Sequence, residues 1–206
     1  MQNAKIKFRA FTLIELLVVI GVIAILAGII LGVLPAAQNK SIRGRVKAEL
    51  NAVQLAIHSY KAKHNFYPPS TFRDGYPNSL YYELTGTTNG PSGYSSIFSP
   101  EDPALTSAQL KQLFGIEGFL NTAPAPEASD IPNFYKTLRQ RQVRQMETNL
   151  GGTISYKVLA CGRKGMDGQD AVWRYSSTPT NNVGEFDLWT EIEISGKRVI
   201  ISNWEK

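Results

Sequence analysis

One carboxylate, Glu15, stands inside the apolar string from Phe11 to Leu34, FTLIELLVVIGVIAILAGIILGVL. A charge held in hydrocarbon costs about 2.5–3.5 kcal/mol near the bilayer centre and less towards an end, so an acid in this position is a functional candidate. A second group is the loop Gly165-Met166-Asp167-Gly168-Gln169-Asp170, with Asp187 further along. Calcium takes several oxygen ligands, carboxylates among them, often from glycine-containing loops. Asp167, Asp170 and Asp187 are therefore candidate calcium ligands. Their spacing is not that of an EF-hand, and aspartates also serve simply as turn residues. The single cysteine, Cys161, allows neither an intramolecular disulfide nor a multi-cysteine metal site, and is assigned to the core. His58 and His64 are six residues apart and do not share a helix face, which excludes a paired metal site. The chain contains no nucleophile elbow, phosphate-binding glycine loop, dinucleotide fingerprint or zinc spacing. It is expected not to be an enzyme and to require no cofactor, calcium excepted.

The element that must position Glu15 is the apolar run. From Leu16 to Leu34, 19 consecutive residues carry no polar side chain. At 1.5 Å per residue this is roughly 28 Å of helix, close to the ~30 Å hydrocarbon core of a bilayer. The run is too long for the apolar region of a cleaved secretory signal, and Pro35-Ala36-Ala37-Gln38 is a weak cleavage site after it. An uncleaved signal anchor, or a cut before the run that leaves the helix on the mature chain, remain. The net charge of +5 is largely a property of the leader, because Lys5, Lys7 and Arg9 are unopposed in residues 1–10 and the remainder holds 19 basic and 17 acidic side chains. This balance is no argument for nucleic acid. Lys5, Lys7 and Arg9 favour a cytoplasmic N-terminus, but Lys40, Arg43, Arg45 and Lys47 follow the run closely and leave the charge count ambiguous.

The string Phe11-Thr12-Leu13-Ile14-Glu15-Leu16 after a short basic leader closely resembles the N-terminal signature of type IV prepilins and type II secretion pseudopilins. The resemblance implies a leader of residues 1–10, cleavage between Ala10 and Phe11 by a prepilin peptidase, and N-methylation of Phe11. It also implies that Glu15 of one subunit pairs with the Phe11 amine of the next during filament assembly. The partners implied are other copies of the chain, the peptidase/methyltransferase, an inner-membrane assembly platform and, before assembly, membrane lipids. The implied location is the inner membrane, single-pass, with the C-terminal domain periplasmic, then a filament. Ala10 departs from the glycine usual before the cut. Pilins or minor pilins with adhesive or DNA-uptake roles, and a membrane-tethered protein that does not polymerise, are the alternatives to a secretion pseudopilus.

Beyond Pro35, which a helix can absorb as a kink, Ile42, Val46, Leu50, Val53, Ile57 and Tyr60 fall on one helical face. Residues 35–65 are expected to continue the helix in amphipathic form until Asn65 and Pro68-Pro69 stop it. The phrase AIHSYKAKHNFYP, Ala56 to Pro68, is similar to the helix end of pseudopilins. Residues 66–206 form the globular domain. Within a long insertion of about 70–151, Asn78–Leu84 is read as a short helix. Ser107 is read as the cap of a second helix carrying Leu110, Leu113 and Phe114. Asp130 to about Glu147 is read as a third, presenting Lys136, Arg139, Arg141 and Arg144 as a solvated face. Further on, Ile154/Tyr156/Val158 and Phe186/Leu188/Ile192/Ile194 alternate as strands do, Ala171–Ser176 is a strand, and Ser195-Gly196 is a turn into Lys197–Asn203. The fold expected is α+β and pilin-like: a long N-terminal helix, half transmembrane and half amphipathic, packed on a C-terminal antiparallel sheet of three or four strands. The loop at 165–170 also resembles the calcium loop of major pseudopilins.

Overall fold

The computed structural model describes residues 12–70, 77–124 and 131–205. The chain divides into two compact units, residues 1–42 and 43–206. Helix α1 (Leu13–His64) begins in the first and ends in the second, with Pro35 inside it. In the second unit, Val46, Leu50, Val53, Ile57 and Tyr60 are buried, so the apolar stripe of α1 is the face that meets the sheets. Fully burying one such aliphatic side chain stabilises by about 1.5–3 kcal/mol. The helix stops where Asn65 turns left-handed at φ 66° while its N–H still donates to the Lys61 carbonyl at 2.7 Å. Asparagine tolerates that conformation better than most residues.

The C-terminal half supplies two three-stranded antiparallel sheets, β4 (Val143–Asn149)–β5 (Thr153–Lys164)–β6 (Asp170–Val172) and β7 (Arg174–Ser176)–β8 (Asp187–Ile194)–β9 (Lys197–Ser202). The expected strand at 171–176 is thus divided between two sheets. Trp173 stands between the parts, buried, and its backbone N–H donates to the Leu159 carbonyl at 2.9 Å. Thr190 closes the same seam by donating to the Val172 carbonyl at 2.9 Å. Cys161 lies buried against Thr190, and burial pushes its thiol up to about 11, which suits packing and not reactivity. Ser195 and Gly196 both have positive φ, as the two-residue β8–β9 hairpin requires.

The insertion folds as an element of its own: α2 (Leu80–Thr85), a mixed sheet of β1 (Thr87–Gly90), β2 (Gly93–Ser96) and β3 (Thr122–Pro124), and α3 (Ser107–Phe114). The structure departs from the sequence expectation at two places. The cap of α3 is Thr106 and not Ser107: Thr106 Oγ1 accepts from the Gln109 N–H and the Gln109 side chain accepts from the Thr106 N–H. A capping box satisfies two helix-end donors at once, which a lone serine one residue later does not. The expected helix from Asp130 to Glu147 is also absent from the described residues. A single 3-10 turn at Gln140–Gln142 leads directly into β4, paired residue for residue with β5 from Val143↔Leu159 to Asn149↔Thr153. The three-residue loop between them contains Gly151 at φ 83°. That hairpin, reinforced by alternation of half-buried and exposed residues in β4, outweighs local helical preference.

Glu83 joins these parts. It is fully buried in α2, and its carboxylate accepts from the Tyr60 hydroxyl of α1 and from the backbone N–H groups of Leu120 and Asn121, each at 3.0 Å. Its own carbonyl accepts from the Asn121 amide at 2.8 Å. Burial raises the pKa of this carboxyl above its ordinary 4.5, against the pull of the three donors. A raised folded-state value means that the associated stability is fully present below the unfolded value and is lost as pH rises through the folded one. Removing the carboxylate strands three buried donors at about 1–3 kcal/mol each. Glu83→Ala is therefore expected to destabilise the chain in mild detergent by more than 3 kcal/mol, and Tyr60→Phe by about 1.5–3 kcal/mol, measured by urea unfolding. Wild type should lose more stability than Glu83→Gln between pH 4.5 and pH 8; equal losses would remove Glu83 as the source.

Candidate functional site

The N-terminal end of α1 is built by Thr12 and Glu15. Thr12 precedes the first helical residue, and both its N–H and its hydroxyl donate to Glu15 Oε2, at 2.9 and 2.8 Å. The Glu15 N–H donates back to Thr12 Oγ1 at 3.3 Å. This is a capping box, in which one acid and one hydroxyl satisfy two of the helix's orphan donors reciprocally. Glu15 thus has a partner within its own chain. The signal was available as Thr-x-x-Glu directly before an apolar run, and Thr12 is the site residue that sequence reasoning missed. Ala10 and Phe11 lie outside the described residues.

Beyond the cap, Leu13, Ile14, Leu16, Leu17, Val18, Ile20, Ile23 and Ile25 are all more than half exposed. α1 is long and apolar enough to cross a membrane, with an 18-residue window of mean hydropathy 3.2 and none of it buried. Apolar surface on this scale marks a membrane or protein contact.

The three candidate calcium ligands are not brought together. Asp167 accepts from the Gln169 N–H at 3.0 Å and faces Arg144 at 3.9 Å. Asp170 pairs with Lys164 at 2.9 Å. Both acids of the loop therefore have cationic neighbours. Asp187 is buried at the start of β8, where it accepts from the N–H groups of Thr180, Asn181 and Asn182 at 2.8–3.0 Å and from the Asn181 side chain at 3.0 Å. Gly165, at the start of the aspartate loop, lies instead beside Glu191, four residues or about 13 Å further along β8 than Asp187. Among the described residues, no three His, Cys, Asp or Glu side chains are grouped to hold a metal. His58 and His64 are likewise separate: His58 packs on Tyr67 and Phe186, His64 on Tyr60 at a ring distance of 4.3 Å.

The basic residues once assigned to one helix face are distributed. Arg144 donates to the Asp170 carbonyl at 2.7 Å, Arg141 lines a cavity against α1, and Lys136 borders a different groove.

Residues 5–31 match the pattern described as the prokaryotic N-terminal methylation motif. The chain carries the type IV prepilin-like signal. The motif marks a type IV pilin-like protein that is processed by prepilin peptidase, and it implies pilin assembly. It spans Glu15, the Thr12 cap and most of the apolar run of this pilin-like chain. No curated protein and no solved structure matches the chain. The α+β layout, a long N-terminal helix followed by antiparallel sheets on which it packs, agrees with the pilin-like assignment.

Two outcomes follow from the site geometry. Thr12→Val should leave the apolar helix inserted but speed amide exchange at Glu15 about fivefold in micelles, the equivalent of a cap worth ~1 kcal/mol. Unchanged exchange would show that the hydroxyl does not cap. Millimolar calcium should leave the melting temperature unmoved, given the cationic neighbours of Asp167 and Asp170; a clear rise abolished by Asp167→Asn would place the ion on that loop.

Proposed function

We propose that this pilin-like chain is a non-catalytic structural subunit of a type II secretion pseudopilus. It is stored in the inner membrane with its N-terminus cytoplasmic and its globular unit periplasmic. Cleavage after Ala10 and N-methylation of Phe11 precede its assembly with other copies. The observation that carries the reading is the methylation motif whose acid, Glu15, opens an apolar helix with exposed Leu, Ile and Val side chains. The new Phe11 ammonium and the Glu15 carboxylate are opposite charges in an apolar setting, where each strongly prefers a partner. The choice of a secretion pseudopilus over a surface pilus is supported by the Tyr67-Pro68 helix exit, anchored where the Tyr175 hydroxyl donates to the Pro68 carbonyl at 2.8 Å.

A second reading rests on the insertion. Its separate mixed sheet and α3 give this subunit more surface outside the two C-terminal sheets than a bare filament module needs. That favours a minor subunit displayed at a filament tip.

Mass spectrometry of the N-terminus tests both readings: a methylated Phe11 is expected, and an intact Met1 on the assembled or membrane-extracted chain would overturn them. Glu15→Leu should remain inserted and lose filament formation. Filaments at the wild-type level would remove the charge pairing. Loss of exoprotein secretion in a deletion strain supports the secretion role, and loss of surface fibres with secretion intact supports a pilus. Immunogold labelling along the shaft or only at its end separates major from minor.

A further inference from the structure

Strand β5 does not run evenly beside β6. Ala160 pairs with Val172 and Lys164 with Asp170, so three residues of β5 stand opposite one of β6. The extra residues are accommodated at Gly162, which has φ 61°. A bulge of this kind bends the strand and re-aims its side chains, and glycine is the residue that takes the left-handed position without strain.

The bulged residues Cys161, Gly162 and Arg163 form one wall of a cavity of about 280 Å³. Arg45 and Glu49 of α1 form another, and Arg141, from the turn before β4, a third. Three arginines and one carboxylate thus line the same cavity. Among the described residues, none of the three arginines has an ion-pair partner within 4.0 Å. Glu49 answers Arg141 and Arg163 only at longer range. Burial pushes its carboxyl above the ordinary value, opposed by the Gln142 amide and by the charges of Arg141, Arg163 and Arg139. Its Oε2 is sealed from solvent without a hydrogen-bond partner. The space left is net positive, lined by planar donors that match tetrahedral oxyanions two bonds at a time. It is smaller than the ~300 Å³ at the low end of sites for drug-sized ligands, which suits a single charged group and not a larger molecule.

We propose that the Arg45–Arg141–Arg163 cavity binds a phosphate group. The chemistry is shared by a phospholipid headgroup and by free phosphate. The sequence gives the headgroup a route, because Arg45 follows Leu34, the last residue of the apolar run, by only eleven positions. Arg43 and Lys47, both exposed on the same helix, extend the positive field around it. The bulge is the device that makes the site, since it brings Arg163 to the two arginines contributed by other elements.

The test uses the full chain in detergent micelles. Native mass spectrometry with added phosphatidylglycerol or phosphatidylcholine reads lipid retention, and calorimetric titration with inorganic phosphate reads the free anion. Wild type should retain a phospholipid, bind phosphate, or both; lipid retention without phosphate binding assigns the headgroup, and phosphate binding without lipid assigns the free anion. Arg141→Gln with Arg163→Gln should weaken whichever is bound at least tenfold. Lys111→Gln with Lys136→Gln, which removes the same charge elsewhere, should leave binding within twofold. Arg45→Gln, at an exposed position on α1, serves if the double variant melts early, with a loss of threefold or more expected. Binding of neither probe, equal binding by the arginine variants, or equal loss in the lysine control would overturn the proposal.

Discussion

A carboxylate sealed from water must find its hydrogen bonds inside the protein, and the globular unit is arranged around one that does. Glu83 collects the Tyr60 hydroxyl from α1 and two backbone N–H groups from the segment between α3 and β3. Those groups come from parts of the chain 23 to 38 residues away. Apolar burial brings α1 to the sheets but is indifferent to small rotations. The three bonds to Glu83 are directional, so they determine which way α1 faces and where the inserted element docks. Tyr60 therefore serves twice, as the last large residue of the buried stripe and as a donor.

The two ends of the chain differ in how plainly their residues state their roles. In α1 the periodicity of Val46, Leu50, Val53, Ile57 and Tyr60 was visible because a single long helix repeats its pattern often enough to be read. The strands β5, β8 and β9 were visible through alternation and through Ser195-Gly196. The segment from 130 to about 147 reads as a helix in sequence because Lys136, Arg139, Arg141 and Arg144 fit a helix face as well as anything else locally. Pairing with β5 across the Gly151 turn decides the matter, and that pairing is a non-local fact. Glu83 was hidden for the same reason, since its three donors are distant in sequence.

The candidate sites divide similarly. The methylation motif is a contiguous string, so its residues could be found without a fold. Thr12 is less plain, because Glu15 fits an intersubunit acid as well as the commoner role of an acid three residues after a threonine. The aspartate loop looked like a cation site while its cationic neighbours were unknown. Arg144 reaches it from β4, the strand that local sequence concealed. The arginine cavity was invisible for two reasons: Arg45, Arg141 and Arg163 come from three elements, and the bulge that unites them leaves no signature beyond one glycine in a strand.

On the proposed function, the cap at the start of α1 bears on how strongly neighbouring copies would be held. If Glu15 were bare in the stored subunit, pairing it with a neighbour's amine would release the whole penalty of an isolated charge, and association would be close to irreversible. Because Thr12 already supplies two donors, joining a neighbour would be an exchange of partners, and only the difference between the two arrangements would be released. The charge would then discriminate between registers, while the net attraction would be left to the apolar helix surface. A polymer built on that division can be ordered along its length and still be taken apart by drawing its subunits back into lipid.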